Sequence, residues 1–236
     1  MSHKKIGLKA LGLCLMAALG IMAFSVASAQ ATTWLEDGAA IGSTLKVESV
    51  ADSSTWLLHS TALGGAVIIH CNELVVKDGL LFTNGTGLAE LEFKNNCLFL
   101  FNGSHETECD PKEPIVSTVK IEAYLHENAA KEKFELFLFS PDDGTLNFVT
   151  LHLNKNGTGC SIGENITVTG HVIAKDCNKE ALVDKEKHLI EPVVGTGFDL
   201  TGPPVRKNSL KFGANTASLL GSQWLTITGH TWAVHV

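Results

Sequence analysis

One pentapeptide has the letters of a hydrolase nucleophile. Gly159-Cys160-Ser161-Ile162-Gly163 spells G-x-S-x-G, the sharp turn that lifts a serine Oγ out of a strand just before a helix. Here the chain runs through Glu164-Asn165 into Ile166-Thr167-Val168-Thr169-Gly170-His171, a strand pattern read as running on to Ala174, so the helix is missing. Ser161 therefore reads as a turn serine, and no catalytic residue is assigned.

Histidine is the other chemical resource. His59, His70, His105, His126, His152, His171, His188, His230 and His235 are scattered rather than set at the close spacings that announce a metal site, so no metal ligand and no cofactor is expected. His105, Glu106, Glu108 and Asp110 are the densest group and read as the solvated tip of a cysteine-closed loop. Asp142-Asp143-Gly144 lacks the alternating ligands of a calcium loop and reads as a turn. Trp34, Trp56, Trp224 and Trp232 would suit a sugar-stacking platform, but core packing accounts for them more simply.

The elements that must position these residues are strands. Ala89, Leu91 and Phe93 alternate with Glu90, Glu92 and Lys94, and Asn84-Gly85 supplies the backbone freedom for a hairpin back to the apolar runs Ala66–Cys71 and Leu74–Val76. Val119, Ile121, Ala123 and Leu125 alternate with polar residues in the same way. Phe134 to Phe139 is apolar on both faces at its end, which predicts a central strand. Between Leu146 and Leu153 the apolar parity switches at Phe148-Val149, which predicts a bulge or a twist. Thr231 to Val236 reads as a last strand. The Ile166–His171 pattern recurs loosely at Leu225–His230.

Five cysteines lie beyond residue 29, an odd number for an oxidising compartment. The turn-containing segment between Cys97 and Cys109 predicts a bridge across it, contributing roughly 3 kcal/mol if loop entropy dominates. A continuous strand from Ile166 to Ala174 would hold Cys160 and Cys177 about 30 Å apart, beyond a disulfide's reach, so the second expected bridge is Cys71 to Cys160. Cys177 is left as a free or intermolecular thiol.

At the amino end, Lys4, Lys5 and Lys9 precede an apolar run to Val26 and the small-residue site Ala27-Ser28-Ala29, the parts of a cleaved export signal over residues 1–29. Its removal takes away three lysines and no acid, so 15 basic side chains face 25 acidic ones, a net charge of about −10. With Arg206 the single arginine, a nucleic-acid partner is excluded in expectation. No stable membrane insertion is expected after cleavage, because the aromatic supply is too poor for the girdles of a membrane barrel.

These patterns predict an all-β chain: a single antiparallel β-sandwich of about a dozen strands over residues 30–236, stapled by disulfides, with any boundary at the polar stretch 178–191. Cys71, the glycine-rich turn, Phe93 before Cys97, Cys109, the strand at Ile121, Cys160 and the Thr-Gly-His strand resemble a group of exported, cysteine-bracketed, β-rich bacterial proteins of uncharacterised role. The resemblance spans residues 66–172, implies no active site, and leaves Cys177 outside its pattern. Together these features predict a non-enzymatic binding or structural module of the cell envelope or extracellular space, with a polymer or protein partner. The alternative is a secreted hydrolase using Ser161 or a pair of carboxylates distant in sequence.

Overall fold

The structure, a computed structural model, describes residues 32–50, 55–127, 133–154, 157, 159–177, 186–194 and 208–235. The expected signal at 1–29 and residues 178–185 of the expected boundary lie outside them. Among the described residues there is no helix beyond one 3-10 turn, Thr107–Cys109, and no helix long and apolar enough to cross a membrane.

Of the nineteen strands among the described residues, sixteen alternate between two rings of eight and three form a separate sheet. After β1 (Thr33–Glu36) and β2 (Ala39–Ala40), β3 (Leu45–Ser49) enters the first ring; β4 (Trp56–Ala62) and β5 (Gly65–Cys71) form a hairpin of the second. The chain returns to the first with β6 (Glu73–Leu81) and β7 (Thr86–Lys94), then supplies β8 (Leu98–Phe101) and β9 (Ser104–His105) to the second. The same exchange repeats with β10 (Ile115–Glu127) and β11 (Lys133–Pro141), β12 (Asn147–His152) and β13 (Asn165–Thr169), β14 (Val172–Asp176) and β15 (Lys187–Pro192), and β16 (Lys211–Phe212) and β17 (Asn215–Leu220). β18 (Gln223–Thr226) completes the first ring, and β19 (Trp232–His235) ends the described chain.

The first ring is a closed antiparallel barrel in which β3, β6, β7, β10, β11, β14, β15 and β18 succeed one another around the wall. The second keeps the same cyclic order, β4-β5-β8-β9 and β12-β13-β16-β17, but is open between β9 and β12. Because the chain crosses between the rings after every hairpin, all the way round, the two lie end to end over one continuous apolar core. β1, β2 and β19 form a three-stranded plug over the hairpin end of the barrel. Thr32 donates a hydrogen bond to the carbonyl of Ala123, and Trp34 Nε1 donates to the carbonyl of Thr86. Gly85, with φ of 77°, lets the plug sit this close, since a Cβ there would fall 1.9 Å from the Thr32 carbonyl oxygen.

The all-β, antiparallel expectation holds, but the sandwich is corrected to a closed barrel joined to a nearly closed ring. Closure depends on β3 pairing with β18, Ser49 opposite Leu225, a contact that no local pattern announces. Local patterns are the better guide. β10 buries Ile115, Val119, Ile121 and Ala123 on one side, and β11 lies between β10 and β14 with both faces covered. The register shifts between Asn147 and Val149, where the switch of apolar parity predicts a bulge or a twist.

Both expected cysteine pairings are corrected: the partners are exchanged. Cys71 is bonded to Cys97, with Cα atoms 4.2 Å apart, and Cys109 to Cys160, at 4.7 Å. The first exchange results from pairing of β5 with β8, His70 opposite Leu98, which brings together the two neighbouring points where the chain passes between rings. The second bridge spans the open seam, because Cys109 comes after β9 and Cys160 lies between β12 and β13; beside it the amide of Lys112 donates to the carbonyl of His152 at 2.7 Å. Cys177 forms neither bridge, and its thiol is free within the chain. The continuous strand from Ile166 to Ala174 is also corrected: Gly170, at φ 106°, breaks it into β13 of the open ring and β14 of the barrel.

Candidate functional site

The inward positions of the barrel strands are filled by large apolar side chains, yet they do not fill the lumen. A cavity of about 60 Å³ remains, lined by Ala89, Leu91, Ile121, Phe137, Ala174 and others, with Trp232 and Trp34 from the plug and Trp56 from the open ring. One water needs about 10–15 Å³ of such space and two to four polar partners. The space would hold several waters, but the carbon-lined wall offers them almost no partners. Trp34 stacks on Phe137 with ring centroids 6.0 Å apart.

Two indole groups on this lining carry an unmet donor. The Nε1 atoms of Trp56 and Trp232 are buried and find no hydrogen-bond acceptor among the described residues, whereas Trp34 Nε1 has the Thr86 carbonyl. A buried N–H without an acceptor costs about 1–3 kcal/mol, so each is a place where an acceptor atom in the lumen would gain a partner.

At the hairpin end of the barrel, three neighbouring strands each place one polar residue inward. Glu135 on β11, Asp176 on β14 and His188 on β15 are only 1%, 7% and 0% exposed, which puts them among the core residues. His188 Nδ1 lies 2.7 Å from Asp176 Oδ2 and 3.9 Å from Glu135 Oε2, while Nε2 lies 2.6 Å from the carbonyl oxygen of Trp232. Glu135 Oε1 accepts the amide of Val234 at 3.3 Å, so the plug strand β19 is held by both ends of the cluster.

Sequence reasoning misses this cluster, although a signal for it exists. Glu135 shares its parity with Phe137 and Phe139, Asp176 with Val172 and Ala174, and His188 with Ile190; each is a polar residue on the core side of a strand. Spacing along the chain carries no hint, because the pairing of β11 with β14, which skips β12 and β13, is what brings β15 and β11 to either side of β14.

The residues singled out from sequence go elsewhere. Ser161 is exposed in a turn closed by the amide of Gly163 donating to the carbonyl of Cys160, Cys160 is bridged, and the chain continues into β13 without a helix. The strand–elbow–helix that would activate the serine is absent there. His105 sits 2.9 Å from Asp110, and Asp110 also accepts the amide of Phe99, so this acid is a buried brace rather than part of a solvated tip. Asp143 caps its own turn by accepting from the amide and hydroxyl of Thr145. Trp34, Trp56 and Trp232 are core residues, as the simpler expectation has it.

No protein-family model matches the chain, and neither a curated protein nor a solved structure is similar to it.

Proposed function

We propose that the protein is an exported, non-enzymatic binding module whose binding element is the barrel lumen, and that its ligand is a small apolar molecule carrying one hydrogen-bond acceptor. The observation that carries this reading is the pair of buried, acceptor-less indole N–H groups of Trp56 and Trp232 on the wall of an apolar, incompletely filled barrel. An eight-stranded barrel has an interior just wide enough to be packed by its own side chains or to hold one small ligand. Here the space suits a short chain of a few heavy atoms and not a ring, since a cavity of about 150 Å³ is what admits benzene. Export is supported by the amino-terminal pattern and by the two disulfides, which fit an oxidising compartment.

The test is native mass spectrometry of the purified chain, then thermal unfolding with added short-chain ketones and short-chain aldehydes. A ligand at about 100 times its Kd stabilises by about 2.7 kcal/mol, a rise in Tm of roughly 5–10 °C for a chain of this size. Bound mass at one equivalent with such a rise is the expected result; no bound mass and an unmoved Tm across both classes would contradict the proposal.

A further inference from the structure

Beside the seam of the open ring, a groove of about 600 Å³ opens to solvent between the first residues of β10 and the strand β12. Lys112, Val116 and Thr118 line one wall, and Asn147, Thr150 and His152 the other. Next to it lies a second apolar cavity of about 40 Å³, among Leu58, Ile69, Leu151 and Val168 of the open ring. This cavity shares Ile115, Phe148 and Val149 with the groove, and Trp56, Phe93, Phe148 and Leu219 with the lumen of the barrel. Among the described residues, Phe148 is the one that lines all three spaces. Local chain geometry explains how its ring comes to stand there. Phe148 has the parity of Thr150 and His152, which reach the surface, but the register shift between Asn147 and Val149 turns it to the core side, where it is only 4% exposed. Re-aiming one side chain in this way is what a bulge does.

From this we infer that the groove is the mouth of the lumen and that the Phe148 ring closes it, so that a small apolar molecule enters through the wall of the open ring and not through the plug. The inference rests on the lumen reading above for what enters, and adds the route. The two ends of the core differ in what must break to open them. At the plug, β1 and β19 pair from Thr33 opposite His235 to Glu36 opposite Trp232, Thr32 and Trp34 donate to the carbonyls of Ala123 and Thr86, and the amide of Val234 donates to Glu135. Lifting the plug would break those barrel contacts together. At the seam no ladder joins β9 to β12 among the described residues. The wall there is held by the amide of Lys112 donating to the carbonyl of His152 and by Ser117 Oγ donating to the carbonyl of Phe148. Both bonds end on the backbone of β12, so the Phe148 side chain can change rotamer with both intact.

The test is ¹²⁹Xe saturation-transfer NMR on the purified full chain, which reads the rate at which dissolved xenon exchanges with xenon held in the cavities. Xenon occupies dry apolar cavities and needs no acceptor, so the route is tested apart from the ketone. Exchange should be at least tenfold faster in Phe148→Ala than in the parent chain. Because removing a core ring could stop the chain from folding, a second variant leaves the core alone: Val116→Cys, made together with Cys177→Ser, is labelled with a bulky maleimide on the exposed wall of the groove. Labelling should slow exchange at least tenfold. A rate that labelling leaves unchanged would overturn the inference, as would a parent-like rate in a folded Phe148→Ala chain or the absence of any bound xenon. Xenon exchange through this mouth in a chain that refuses every ketone would support the route and count against the proposed ligand.

Discussion

His230 and Asp37 face each other at the rim of the plug, Nδ1 to Oδ2 at 2.8 Å, and Asp37 also accepts the amide of Thr231. The hydrogen bond to Asp37 raises the His230 pKa above its ordinary 6.5, with Glu36 and the Asp37 charge adding to it. In return the bond to His230 and then that to Thr231 lower Asp37 below 3.8. The histidine's contribution is full below about pH 6.5 and is lost as pH rises through its folded pKa. The aspartate's is full above about pH 3.8 and is lost as pH falls through its own. The pair is therefore strongest between roughly pH 4 and 6.5. In an NMR titration His230 should show a midpoint above 6.5 that falls in Asp37→Asn; an unmoved midpoint would contradict the pairing. Cys177 is a second residue with a readable state. Burial, and next a hydrogen bond to Glu191, push its thiol up to about 12, so at pH 8 it is almost wholly protonated and a poor nucleophile. Iodoacetamide should label it at least a hundredfold more slowly in the folded chain than in urea. Equal rates, or a disulfide-linked dimer, would contradict this. That one cysteine is left over is legible from the odd count, whereas the buried acids are marked only by sharing the parity of their apolar neighbours.

Hairpins and bulges are set by neighbouring residues, and they are readable: the Asn84-Gly85 turn, the alternation of β10 and the register break at Phe148 all come from local pattern. Disulfide partners depend on which hairpins become neighbours, and sequence proximity misleads there. Cys97 is twelve residues from Cys109 but bonds Cys71, since β5 and β8 pair before the chain reaches the loop. The two bridges also differ in the job they perform: one staples adjacent crossings between rings, and the other closes the seam of the open ring. The loops they close span 26 and 51 residues, which in the chain-entropy account contribute about 3.5 and about 4 kcal/mol. Replacing both cysteines of a pair by alanine and measuring urea unfolding should show losses of that order, with the Cys109–Cys160 pair costing at least as much. A loss below about 1 kcal/mol for that pair would mean that the hydrogen bond from Lys112 to His152 and its surroundings already hold the seam.

At the scale of the whole molecule, the sequence announces strands and a common core but not how the sheet closes. A barrel and a sandwich use the same alternation of inward and outward residues; what separates them is one long-range pairing, here β3 with β18. Closure has a consequence that no linear pattern carries: it encloses an apolar lumen between Trp56 and the Trp232 of the plug. The pairing of β11 with β14, equally unannounced, brings Glu135, Asp176 and His188 together. The lumen is the centre of the functional reading, and the indole N–H groups report on it directly. Titrating the ¹⁵N-labelled chain with a short-chain ketone such as acetone, while tracking the four indole resonances, tests the claim at the atoms concerned. The account predicts saturable, one-to-one shifts at Trp56 or Trp232, no change at the already bonded Trp34, and loss of the effect when Ala89→Leu fills the lumen. Indole resonances that stay fixed up to millimolar ketone, or shifts that persist unchanged in the folded Ala89→Leu chain, would contradict it.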